Sequence, residues 1–198
     1  LLNELYSTMI MRDPYSGNRI PWLAKEWKAE TWDYGGVATK PATKLTFKLY
    51  ENLKWSNGNP LTSADVAFTM KYMYDASSPS YYPYVEMIDG INTTTPHIET
   101  PDATTVIIYY TVESIWVLEW AGATPILPKH KWETVPPRQC EQKGEFVTSG
   151  NLTGSGPFVI DSYKKGEWWL LKRNANFFRK LYGDINADNS VDMADISI

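Results

Sequence analysis

Apolar residues recur at Leu2, Leu5 and Met9, with Tyr6 beside them, a stripe that predicts a helix over residues 1–11. "RDPYSGN" ends it with Pro and Gly, the residues of a turn. "IPWLAKEWKAETWDYGG" then predicts a short aromatic segment running into a flexible loop. "TKLTFKLY" alternates apolar and polar positions, which predicts a half-buried strand with Leu45, Phe47 and Leu49 on one face.

"NLKWSNGNPLTSADVAFTMKYMYD" combines a short strand, an Asn57-Gly58 turn and a helix. Thr62 followed by Asp65 resembles a capping box with Asp in place of Glu, and Val66, Met70, Met73 and Tyr74 form the expected buried stripe. "SSPSYYPYVEMIDG" reads as a Pro- and Tyr-rich loop. "TTVIIYYTV" predicts a strand, a short apolar helix follows over 115–120, and "TPILPKHKWE" is a compact turn and helix start. Residues 136–155 read as a polar loop, and "PFVIDSY" and "EWWLLKR" as two strands about a Lys-Gly turn. There is no internal repeat, and strands and helices mix without βαβ alternation, so the fold class is α+β.

Composition sharpens this in a few places. A chain of 198 residues with 43% hydrophobic and 21% charged residues suits one globular domain with a small attachment. The net charge of −4 offers no surface for nucleic acid or anionic membrane. Cys140 is the only cysteine, which excludes an internal disulfide. No apolar run approaches the ~20 residues of a membrane span, and the opening "LLNELYSTMIM" reads as amphipathic structure, as expected of a mature domain cut from a longer precursor. Nine Trp and thirteen Tyr are the unusual feature, because such residues fill cores but also line sites for peptides and sugars.

Several motifs fall in a telling order: "PWLAKEW", "KWSNGNPLTSADVAFT", "PILPKHKWE" and "GSGPFVIDSYKKGEWWLLKRNANFF". Together they resemble the extracellular solute-binding proteins of ABC importers, the dipeptide- and oligopeptide-binding family 5. The resemblance spans residues 1–180 and implies a periplasmic-binding-protein-like (type II) lobe, a mixed sheet with helices. In that family two lobes close on a peptide or other small solute and deliver it to an ABC permease in the membrane. Members run on from the "RNANFF" position into a second lobe, whereas "RKLYGDINAD" follows here, so one lobe is expected, with the second either supplied by the remainder of a longer parent chain or lost in a degenerate copy kept as a structural module; the abrupt end at "ADISI" favours the first. The glycines of "GSGPF" are expected to serve a tight turn.

The resemblance also nominates a ligand site. "LYSTM" matches the segment that borders the ligand, which makes Tyr6, Ser7 and Thr8 candidates, and Ser7 stands where many peptide binders place an acidic residue. The loop carrying Tyr81, Tyr82 and Tyr84 matches a region that reaches towards the cleft. Trp22, Trp27, Trp55, Trp132, Trp168 and Trp169 fall in framework motifs and are expected in the core. His97 and His130 lack metal-ligand spacing, His130 reads as a structural hydrogen-bonder, and Cys140 has no evident His partner.

Residues 181–198 carry a different pattern. "GDINADNSVDMAD" places Asp184, Asn186, Asp188, Ser190, Asp192 and Asp195 at loop positions 1, 3, 5, 7, 9 and 12, the alternate oxygen donors that a Ca2+ ion takes. Asn189 replaces the usual Gly at position 6, and Asp replaces Glu at position 12. The stretch resembles a single dockerin repeat, so a partial dockerin-like calcium loop is expected.

The function these readings support is non-catalytic capture of a peptide or small solute, outside the cell, at its surface or in a periplasm. The alternative is a calcium-dependent structural or adhesive surface module derived from such a protein. A carbohydrate-active enzyme would need a pair of carboxylates that the body of the chain does not offer.

Overall fold

The alternation read in "TKLTFKLY" sits at the centre of the fold. The computed structural model describes residues 2–33, 41–76, 98–110, 113–149 and 151–179. Within it, β3 (Ala24–Asp33), β4 (Pro41–Leu49), β5 (Ile98–Asp102) and β6 (Thr105–Tyr109) form one sheet in the order β3-β4-β6-β5. Leu45, Phe47 and Leu49 of β4 point inward as expected and are fully buried with Val106 and Ile108 of β6. The register Leu45↔Ile108 and Phe47↔Val106 brings these side chains level across the ladder. Every described pair is antiparallel, so the expected mixed sheet is not found among these strands; short turns such as 103–104 reverse the chain directly. The α+β class holds.

β3 corrects the reading of 24–33 as a short segment and loop. Trp27, Ala29 and Thr31 alternate with Glu26, Lys28 and Glu30, and nine positions pair with β4.

α2 (Ser63–Asp75) packs on β5 and β6. Its start is the capping box read from sequence: Asp65 Oδ2 accepts the Thr62 N–H at 2.9 Å, while Asp65 Oδ1 accepts the Lys129 N–H at 3.0 Å. Val66 and Met70 are buried as expected, but Thr69 and Tyr72 complete the stripe, and Met73 and Tyr74 are half-buried. The reason is that Thr69 Oγ1 receives the Leu127 N–H at 2.9 Å, which draws the 124–127 segment over that face.

Two further expectations change. The first helix is short, α1 (Leu2–Leu5), and the chain then turns into β1 (Ile10–Arg12). Met9 is buried as the stripe implied, but at a bend outside the helix, where its carbonyl accepts the N–H groups of Trp22 and Ala24. Residues 136–155 are also more ordered than a loop, with a 3-10 turn (Pro137–Gln139), α5 (Cys140–Lys143) and α6 (Glu145–Ser149). They follow α3 (Trp116–Gly122) and α4 (Lys129–Trp132).

β7 (Phe158–Lys164) and β8 (Trp168–Arg173) form the predicted hairpin, turned at Gly166, whose φ of +80° only glycine adopts freely. Here two expected core residues surface: Trp168 and Trp169 are 48% and 42% exposed, because a hairpin alone leaves part of both faces open. Trp169 stacks on Tyr163 at 4.7 Å, with Phe146 against both rings. Trp55 is fully buried, and Trp22, Trp27 and Trp132 are half-buried.

Candidate functional site

The candidate residues Tyr6, Ser7 and Thr8 lie where the chain leaves α1, and the "GSGPF" segment fixes them there. The Ser7 N–H donates to Ser155 Oγ at 3.0 Å, and Ser7 Oγ donates to the Ser155 carbonyl at 2.9 Å. The Gly156 N–H donates to the Leu5 carbonyl, and Asn174 Nδ2 donates to the Gly156 carbonyl. Gly154 and Gly156 are not in the left-handed region, so their expected role as turn residues is corrected: a Cβ on either would run into the backbone carbonyl of Leu5 or Glu4. The motif is glycine-rich because two stretches of backbone touch.

This clasp sorts the three candidates. Ser7 is fully buried and spends its hydroxyl on the Ser155 carbonyl. Tyr6 and Thr8, its neighbours, line one cleft of about 250 Å³. The cleft lies between β1, β2 (Arg19–Pro21) and α3, with Met11 and Leu118 as apolar wall, Trp22 at one side, and Arg12, Arg19 and Glu119 at another. The turn at 13–18 sets the register Arg12↔Arg19, which places both guanidinium groups on Glu119. Arg12 Nη2 lies 3.0 Å from Glu119 Oε2, Arg19 Nε bonds Oε1, and Arg12 Nη1 donates to the Gly17 carbonyl at 2.9 Å.

The Tyr6 ring lines the cleft while its hydroxyl is buried. Burial pushes this phenol far up, nearby Glu145 adds to the effect, and the Trp132 indole partly offsets it. Tyr72, edge-on to Trp132 at 5.7 Å, is pushed up to about 12, again mainly by burial. Both phenols therefore stay protonated near neutral pH and supply no base. His130 Nε2 lies 2.9 Å from Asn57 Nδ2, a hydrogen bond of the kind expected of it. Among the described residues no three His, Cys, Asp or Glu side chains converge to hold a metal ion.

Tyr81, Tyr82 and Tyr84, and the loop ligands Asp184, Asn186, Asp188, Ser190, Asp192 and Asp195, lie outside the described residues. Arg12, Arg19, Trp22 and Glu119 were missed from sequence. The signal for the first pair was available, since a six-residue turn between them makes Arg12 and Arg19 cross-strand neighbours. Glu119, a hundred positions from Arg19, had none.

With this geometry established, comparison with known proteins is informative. Residues 18–192 match the family model of bacterial extracellular solute-binding proteins, family 5, Middle. The peptidoglycan-binding protein YepA of Agrobacterium fabrum is 28% identical over 191 residues, covering 94% of this chain and 27% of that protein. A mannohexaose-bound periplasmic oligopeptide-binding protein of Thermotoga maritima superposes with a TM-score of 0.67 at 27% identity, over 88% of this chain and 29% of its own. The murein tripeptide-binding protein MppA of Escherichia coli gives a TM-score of 0.68 at 20% identity, over 88% and 33%, a likeness of fold. The chain spans about a third of these structures or less.

Proposed function

This chain belongs to the bacterial extracellular solute-binding proteins of family 5, and from that premise we propose that it is part of the ligand-capturing component of an ABC importer. It works outside the cytoplasm, at the cell surface or in a periplasm. It binds a peptide or a related small solute without breaking any bond, and passes it to a membrane permease. The remainder of a longer parent chain supplies the facing lobe, and closure of the two about a hinge retains the ligand. The observation that carries the reading is the cleft beside the Ser7–Ser155 clasp, where Tyr6 and Thr8 meet an apolar wall and a charged edge. Support for the ligand class comes from the relatives, described as binding peptidoglycan, murein tripeptide or, in an oligopeptide-binding protein, mannohexaose. Tyr81, Tyr82 and Tyr84 are proposed to add aromatic contacts from the loop that carries them.

Isothermal titration of the full-length parent protein with short peptides tests this, followed by mass analysis of the recovered ligand. Saturable one-to-one binding and intact ligand are expected. Cleaved ligand, or no binding across peptides of two to nine residues, would overturn the proposal.

The six oxygen donors of 184–195 support a second proposal, that this loop takes up Ca2+ and orders the segment that carries it. Asn at position 6 and Asp at position 12 both weaken the site relative to a full calcium-sensor loop, so the affinity is expected to be low. Hydrogen exchange checks this: added calcium should raise protection across 183–195, and unchanged protection sinks the idea. The adhesive alternative, which rests on the missing second lobe and on this loop, gains nothing from the relatives.

A further inference from the structure

We propose that the cleft between β1, β2 and α3 is a carboxylate-recognising subsite, with Arg19 as its anchoring cation, so that the captured solute is an acid. The inference rests on the reading of this cleft as part of the ligand site.

The charge balance is the first reason. Two guanidinium groups, Arg12 and Arg19, share the single carboxylate of Glu119, the only acidic side chain lining the cleft among the described residues, and leave one positive charge over. A ligand ammonium would meet that excess unfavourably, whereas a carboxylate would neutralise it.

Donor supply is the second. Arg12 is committed, with Nε and Nη2 on Glu119 and Nη1 on the Gly17 carbonyl, which ties down the 13–18 turn. Arg19 spends only its Nε, on Glu119, among the described residues. Its two terminal nitrogens remain as a planar pair, spaced to meet the two oxygens of one carboxylate. Glu119 is itself only 18% exposed, so it holds the Arg19 fork in place and lowers the ordering cost on binding.

Shape is the third. A cleft of about 250 Å³ is below the size that encloses a whole drug-sized ligand, and suits one terminal group. Met11, Leu118 and Trp22 supply apolar surface beside the charge, matching a residue that carries a short side chain next to its carboxylate. Arg179 lies over the Trp22 ring at 4.5 Å and donates to the Pro21 carbonyl, which adds a further cation behind the indole.

A carboxylate of this kind comes from the carboxy terminus of a peptide or from an acidic side chain. Three probes on the full-length parent protein separate the sources: tri-alanine, tri-alanine amide, and Ala-Glu-Ala amide. Tri-alanine should bind about tenfold more tightly than its amide, the effect of one charge-assisted hydrogen-bonded pair. Arg19→Met should erase that preference, and an unchanged melting temperature shows that the variant is folded. Arg19→Lys should restore part of it, since it keeps the charge and loses the fork. Tight binding of Ala-Glu-Ala amide would assign the site to side-chain acids and still support the proposal. Equal affinity for all three probes in the unmodified protein, or a preference for the carboxylate-bearing probe that survives Arg19→Met, would overturn it and leave ligand capture standing. Failure of all three probes to bind would overturn both.

Discussion

Alanine at Gly154 is expected to destabilise the protein by about 3 kcal/mol or more, among the larger effects of a single added methyl group. The reason lies in what the methyl would meet. A Cβ at this position overlaps the carbonyl oxygen of Leu5 and crowds the carbon behind it, and both are backbone atoms at the end of α1. A flexible side chain could rotate away, but backbone moves only by shifting the segment it belongs to. That segment is tied to the very stretch that carries the new methyl, since the Leu5 carbonyl already accepts the Gly156 N–H and Ser7 is bonded twice to Ser155. Relief of the clash therefore costs hydrogen bonds that are buried, and a buried polar group left without a partner costs about 1–3 kcal/mol. Thermal unfolding should show the melting temperature falling by about 6–12 °C for a chain of this size. Because Tyr6 and Thr8 follow Leu5 directly, ligand affinity should fall with it. A Gly154→Ala protein that melts like the parent would show that the two backbone stretches do not touch as described.

How much of this was legible beforehand differs with sequence distance. The capping box of Thr62 and Asp65 and the inward face of β4 were readable, because their partners lie three residues away or along one strand. Local patterns report local structure. The helix over residues 1–11 was overread, because an apolar period cannot register that Ser7 pairs with a residue 148 positions on. Trp168 and Trp169 were placed in the core on the strength of their motif, whereas their exposure depends on what packs against the hairpin. Tyr6 and Thr8 are candidates through the family resemblance alone, and the fold sets both on one cleft. Ser7 between them is fully buried, with its hydroxyl on Ser155. The charged edge of the site escaped because it joins a hairpin to a distant helix through Glu119.

Trp55→Ala should cost still more, about 3–5 kcal/mol, a large share of a typical total stability of about 5–15 kcal/mol. Trp55 is the largest of the fully buried side chains. Its backbone closes the Asn57-Gly58 turn through an N–H bond to the Asn59 carbonyl at 2.8 Å, and its ring meets His130 edge-on at 6.4 Å. Truncation removes the whole indole from a close-packed core and leaves a cavity that the neighbouring turn can only partly fill. The indole N–H has no hydrogen-bond partner among the described residues, so the residue acts through volume and shape. Trp55→Phe should accordingly lose much less, about 1.5 kcal/mol or less. Urea unfolding followed by circular dichroism separates the two variants, and equal losses would mean that the nitrogen, not the volume, matters. A second consequence reaches the site. Ser56 is the next residue, and its N–H and carbonyl bond Gly154 and Asn176, so it anchors the outer side of the Gly154–Gly156 segment. Loss of Trp55 frees Ser56 to move, and the clasp on Ser7 loosens with it. Ligand affinity should therefore drop in Trp55→Ala even under conditions where most molecules remain folded, while Trp55→Phe keeps both stability and binding. Unchanged affinity in folded Trp55→Ala would show that the α1 side alone holds the clasp.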